Sequence, residues 1–170
     1  MDGLERRSLS ILQIGFPDFP RIAEELDAEA VGERLARLHE LLTDPVLRLD
    51  GTALMYDQAV LLAVWSAPHP QPQHARLALQ AAEVAMRASA AAVKGTGLRV
   101  RGGLVTGEGL VGIVDSRIRR AYGVFGKLRE DAERLFWDAG HSRLAVSART
   151  WQESGRAPYA GRPDPVVLPF

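Results

Sequence analysis

The chain has no cysteine among its 170 residues. That excludes disulfides and thiolate metal centres and leaves the redox compartment open. Lysine is nearly absent: Lys94 and Lys127 are the only two, and arginine supplies every other fixed positive charge. Net charge is absent too, because 21 basic and 21 acidic side chains cancel. Bulk electrostatics therefore points neither to nucleic acid nor to an anionic membrane. No long apolar run occurs near the N-terminus, so neither a secretory signal nor a membrane span is expected, and a cytoplasmic location is the default expectation. No internal repeat, low-complexity tract or linker breaks the sequence.

What is present is a normal globular composition, 46% hydrophobic and 25% charged. The length suits one domain with a full-sized core, so residues 1–170 are read as a single unit with a Pro/Gly-rich tail from 154 to 170. Glycine is unevenly spread: eight of the sixteen fall between residues 97 and 126. Between them the segment reads as strand, through Leu98, Val100, Leu104, Val105, Leu110, Val111, Ile113 and Val114. Glycine weakens a strand unless the backbone must turn or something must approach it closely.

The rest of the chain alternates strand and helix patterns. Residues 8–14 form a β-prone run ending at Gly15, and the prolines of GFPDFP mark a loop or helix start. Val31, Leu35, Leu38 and Leu42 repeat at helical spacing over 27–44, behind Asp27 as N-cap. Residues 45–68 read as two strands, with a hairpin turn at Asp50-Gly51 or near Asp57-Gln58. An alanine-rich helix spans about 74–93, a second helix 126–139 ends at Gly140, a strand covers 143–148, and PVVLPF offers an edge strand. The order predicts an α+β fold: a ferredoxin-like βαββαβ core with added strands, a largely antiparallel sheet and helices packed on it. Trp65 and the leucine face of 27–44 are most simply core. Phe136 and Trp137 are core or interface. His39, His69, His74 and His141 lack metal spacing and read as surface or loop residues.

The segment LRVRGGLVTGEGLVGIVDSRIRRAYGVFGK resembles the class III adenylate/guanylate cyclase catalytic domain. Gly103, Thr106, Gly107, Glu108, Val111, Gly112, Ser116, Arg120, Tyr122, Val124 and Gly126 match that family's pattern without a gap. LDGTALMYDQAVLLAVWSAP, SLSILQIGFPDFPRIAEEL and FGKLREDAERL extend the resemblance to about residues 7–151. It implies that the glycines pack backbones at a dimer interface and beside a nucleotide cleft.

The family's chemistry is attack of a ribose 3′-hydroxyl on the α-phosphate of ATP or GTP, assisted by two metal ions on two aspartates. In register, those aspartates fall on Gly15 and Ala59, neither of which offers the oxygen ligand a hard cation needs. The purine-contacting lysine falls on Met55, the purine-selecting residue on Lys127 and the ribose-orienting asparagine on Glu130. Only the phosphate-stabilising arginine is kept, as Arg134. Pro17 and Pro20 each remove a backbone donor from the loop that faces phosphate in the family.

The resemblance thus implies a degenerate, catalytically inactive domain without a cofactor, acting as a dimeric binding or regulatory module. The alternatives are an active cyclase using Mg²⁺ or Mn²⁺ on Asp18 and Asp57, or a pseudo-subunit that forms a heterodimer with a competent cyclase. Asp57 lies two residues before Ala59 and so keeps its strand face, whereas Asp18 lies three after Gly15 and does not. Their plainer roles are a cap on the first helix for Asp18 and a turn residue for Asp57. A remnant cleft would favour an anionic ligand, a nucleotide among them, through Lys127 and Arg134, unless Glu130 pairs with them and closes it. Arg117, Arg119, Arg120, Lys127 and Arg129 form a basic cluster around the former site, read as a solvated hairpin tip.

Overall fold

The computed structural model describes residues 3–158 and 164–170. Its elements are β1 (Leu4–Gly15), α1 (Phe19–Ala23), α2 (Ala28–Arg48), β2 (Thr52–Asp57), β3 (Val60–Trp65), α3 (His74–Ala92), β4 (Arg101–Ser116), β5 (Arg119–Phe125), α4 (Lys127–Asp138), β6 (Arg143–Val146), α5 (Ala148–Glu153) and β7 (Val166–Pro169). The strands form one sheet in the order β2-β3-β1-β4-β6-β7, with β5 hydrogen-bonded to β4 off that path. Only β4–β6 is parallel; the other pairings are antiparallel. This is the α+β fold that the element order predicts.

Strand alternation sorts the apolar residues onto two faces. Leu12 and Ile14 of β1, Leu61, Ala63 and Trp65 of β3, and Leu104 of β4 pack with α2 and α3 in the larger core. Leu9, Ile11, Leu62, Val64, Val105 and Val111 pack with α4 on the opposite face. The sheet is therefore buried on both sides, and its centre is β1 beside β4. Leu38 and Leu42 are buried as the helical spacing predicts, while Val31 and Leu35 are half-buried against the same core. Trp65 is fully buried. Phe136 is buried, and Trp137 is exposed. Asp27 caps α2, accepting from the Ala30 N–H at 2.8 Å.

Residues 45–48 are helix, not strand. Pro45 lacks the N–H that an interior helical residue donates, which argues for a break there. Yet Leu38, Leu42 and Val46 recur at four-residue intervals and are all buried. The core continues the helix through the proline. Asp50 and Gly51 then end the helix, through the Gly51 N–H to the Val46 carbonyl at 2.8 Å, and the hairpin turn is Gln58-Ala59, at the second of the two expected places, with Asp57 the last residue of its strand. The strand expected over 143–148 stops at Val146, because Ser147 becomes the N-cap of α5 and accepts from the Thr150 N–H. PVVLPF does supply an edge strand, β7 on β6. Residues 159–163 of the tail lie outside the described set.

The glycine-rich strand answers part of its own question. A Cβ on Gly103 would lie 2.3 Å from the Phe136 nitrogen and 2.5 Å from the Ala132 carbonyl oxygen. Glycine there lets α4 seat its backbone directly on β4 of the same chain, so this close approach is internal. Among the described residues no helix is long and apolar enough to cross a membrane.

Candidate functional site

The residues singled out by sequence lie on two structural units. Gly15 ends β1, Met55 and Asp57 lie on β2, and Ala59 sits in the β2–β3 turn. Lys127, Glu130 and Arg134 lie on α4.

At the first unit the chain is packed against itself. The Phe16 N–H donates to the Ala59 carbonyl at 3.0 Å. A Cβ on Gly15 would lie 2.2 Å from that oxygen and 2.6 Å from the Val60 Cα. Both obstacles are backbone, so any side chain at position 15 requires the turn to move. Ala59 is itself fully buried. Gly15 and Ala59, which the resemblance aligns with the family's metal aspartates, are thus in close backbone contact here. Asp18 occupies the N-cap position of α1, but its side chain makes no capping hydrogen bond, contrary to the cap expected of it. Asp57 is the last residue of β2, next to Gln58, whose carbonyl oxygen is 2.6 Å from His39 Nε2. Among the described residues no three His, Asp or Glu side chains gather into a metal-holding group. The residues at these positions do not fit the family's metal pair.

Two clefts flank β2. A small one, about 150 Å³, is bordered by Gln13, Met55, Asp57, Arg129 and Glu133. A larger apolar one, about 420 Å³, is bordered by Leu54, Met55, Tyr122, Phe125 and Arg129. Arg129 borders both and donates from Nη2 to Met55 Sδ at 3.6 Å. Sequence reading placed Arg129 only in a general basic cluster. Its reach across to β2 follows from its position on the first turn of α4.

The second unit is organised by a residue that the family pattern does not name. Asp131 accepts from Lys127 Nζ at 2.9 Å and from Arg134 Nη2 at 3.1 Å. The Lys127 hydrogen bond holds its carboxyl below the usual range, with burial opposing and Arg134 reinforcing the shift. Glu130, the expected partner of those cations, is exposed beside them; Asp131 pairs with both. Arg134 borders a third cleft, about 220 Å³, with Thr106, Asp131, Ser147 and Arg149. None of the metal-position residues borders it. One chain therefore brings Met55 and Asp57 together at one cleft, while Arg134, joined to Lys127 through Asp131, borders another.

From the Arg134 cleft a line of hydroxyls runs inward. Ser147 Oγ is 2.8 Å from Thr150 Oγ1, and Thr150 Oγ1 donates to Thr106 Oγ1 at 2.9 Å. Thr106 is 2.7 Å from Ser10 Oγ, and Ser10 is 2.8 Å from His74 Nδ1. His74 Nε2 ends the line 3.3 Å from Ser8 Oγ. His74 is thus a buried core residue, not a surface one. Each hydroxyl has one proton to give. Thr106 accepts from Thr150. If the Thr106 proton runs on to Ser10 and the Ser10 proton to Nδ1, the neutral ring is protonated at Nε2. Burial pushes the His74 pKa below the ordinary 6.5, with Glu153 opposing and Arg149 reinforcing.

No family model matches the chain. Adenylate cyclase 1 of Rhizobium meliloti (strain 1021) is 30% identical over 152 residues, which is 84% of this chain and 23% of that protein. The chain thus spans less than a quarter of that relative's length. The crystal structure of the guanylyl cyclase Cya2 superimposes with a TM-score of 0.80 at 27% identity, covering 97% of this chain and 91% of that one. The adenylyl cyclase CyaB from P. aeruginosa gives a TM-score of 0.81 at 20% identity, covering 97% and 93%.

Proposed function

We propose that this chain, whose structural neighbours are class III adenylyl and guanylyl cyclase catalytic domains, is a catalytically silent member of that family working as a dimeric binding or regulatory module. One observation carries this reading: at Gly15 a Cβ would lie 2.2 Å from the Ala59 carbonyl oxygen. In the family pattern that position carries a metal-binding aspartate. Here both the ligand and the space for it are gone. The second metal position, Ala59, is buried and has no oxygen to offer. Charge on a phosphoryl transition state would go unneutralised, and each such metal contribution is typically worth several kcal/mol.

The dimeric part of the reading rests on the separation of the two units. Arg134 and Asp57 border different clefts of one chain. A two-fold pairing is the arrangement that would set one chain's α4 against the other's β2–β3 hairpin. The same geometry suits heterodimerisation with a competent cyclase, to which Arg134 would be presented already held by Asp131.

The test is production of cAMP and cGMP from ATP and GTP with Mn²⁺. The wild-type protein is expected to give none, and Gly15→Asp combined with Ala59→Asp is expected to restore none, because a side chain at position 15 displaces the turn that would carry the second aspartate, and Met55, Lys127 and Glu130 still stand at the nucleotide positions. Product formed above background by the wild type and abolished by Asp57→Ala would instead establish an active cyclase with relocated metal ligands.

A further inference from the structure

Basic and acidic residues cancel over the whole chain, and much of that balance is local. Arg7 pairs with Glu5, Arg48 with Asp44, Arg149 with Glu153 and Arg156 with Glu83. One cleft breaks the pattern. It measures about 750 Å³ and lies between the C-terminal half of α3, the loop into β4 and the end of β7. Arg87, Lys94 and Arg99 border it, and no acidic side chain does. None of the three belongs to an ion pair among the described residues. The cations come from two segments, α3 and the α3–β4 loop, that converge because α3 packs against β1 and β4.

The opposite wall is aromatic and fixed. Phe170 follows β7, which pairs with β6, and its N–H donates to the Ser142 carbonyl at 2.9 Å. The Arg87 guanidinium lies 6.0 Å from the centre of the Phe170 ring. That cation–π contact orients Arg87 without neutralising it. Three cations outnumber the one anion at this cleft, the Phe170 α-carboxylate, so its potential is positive and the low-dielectric wall focuses the field. Two guanidinium forks with a lysine point charge match phosphate oxygens, since arginine binds phosphate in a bidentate manner.

We propose that this cleft is a binding site for a small phosphate-bearing polyanion. It shares no bordering residue with the clefts at Met55 and Arg134, so it is independent of the cyclase-type site and of whether that site is silent. The cleft is of a size to take several linked phosphates, and the Phe170 ring offers a stacking face to any planar group that they carry. A soluble polyphosphate and the headgroup of an anionic phospholipid present the same chemistry.

The experiment is calorimetric titration of the full chain with inorganic tripolyphosphate at fixed ionic strength, beside co-sedimentation with phosphatidylcholine vesicles with and without phosphatidic acid. Arg99→Glu and Lys94→Glu are compared with Arg21→Glu, an exposed arginine on α1 that borders none of these clefts. Thermal unfolding confirms that each variant is folded. Saturable tripolyphosphate binding is expected, weakened about tenfold or more by Arg99→Glu and by Lys94→Glu, as loss of a charge-assisted hydrogen bond implies, and unchanged by Arg21→Glu. Binding only to phosphatidic acid vesicles, with the same variant pattern, supports the site and identifies a lipid headgroup as its source of phosphate. Absence of binding in both arms overturns the proposal. So does binding that Arg21→Glu weakens as much as Arg99→Glu, because that reports net charge alone.

Discussion

Ser10→Ala tests the inner hydrogen-bonded line at its narrowest point. The Ser10 hydroxyl is hydrogen-bonded to His74 Nδ1 at 2.8 Å and to the Thr106 hydroxyl at 2.7 Å, and a proton relay running from Thr106 through Ser10 to Nδ1 is the arrangement under test. Removing it leaves an imidazole nitrogen and a threonine hydroxyl without that partner, and all three residues are buried. Each unsatisfied buried group costs about 1–3 kcal/mol. The volume change is small, so the expected loss is about 2–4 kcal/mol in urea unfolding, a large fraction of the about 5–15 kcal/mol that holds a typical domain. The same line fixes a pH dependence. The folded-state pKa of His74 is lowered below 6.5, so the unfolded chain takes up the proton more readily. Stability from this group is therefore complete above 6.5 and is lost as the pH falls through the lower folded-state value. His74→Gln should lack that slope, and nitrogen NMR should find the neutral ring protonated at Nε2. Three results would refute the reasoning: an Nδ1–H tautomer, a His74 that titrates at or above 6.5 in the folded protein, or a Ser10→Ala cost below about 0.5 kcal/mol, well short of one unsatisfied group.

Gly103→Ala should be more damaging than the same addition at Gly102, Gly107 or Gly109 of β4, because its obstacles are the Phe136 nitrogen and the Ala132 carbonyl of α4 rather than movable side chains. A cost of about 1–3 kcal/mol is expected for forcing the helix off the strand, read as a fall of several degrees in Tm. In solution the protein is expected to be a homodimer by light scattering, and a strict monomer at high concentration would remove the two-chain reading of the site.

How much of this was legible in the sequence depends on the range of the interaction. Period and caps located most elements: the Leu38–Leu42 face, the Asp27 cap and the glycine-rich strands need only near neighbours. Pro45 misled because its local preference runs against the helix, while the buried Val46 that overrides it is visible only once α2 is packed. Ser147 was read as the end of a strand, although a serine before ARTWQE is also an N-cap signal. The residues that the resemblance aligns with the family's metal positions were legible as letters. That Gly15 lies against the Ala59 carbonyl was not, because the contact joins β1 to a turn more than forty residues away. Asp131 has no role in the family pattern. Its hold on both Lys127 and Arg134 emerges from the i, i+4 and i, i+3 spacing on one helix face.

The ends of the sheet bear on how copies of this chain can meet. β7 has four residues and includes Pro169, which has no N–H to offer a neighbouring strand. At the other end β2 changes register with β3 between Ala53 and Met55, an irregularity of the kind that twists an edge away from flat pairing. The outer strand β5 begins with two adjacent arginines, Arg119 and Arg120. Short length, proline, a bulge and charge are the devices by which natural sheets resist continuation into a neighbour. The sheet is thus guarded against growth by added strands, and association of two chains falls to side-chain surfaces, where shape and charge choose the partner.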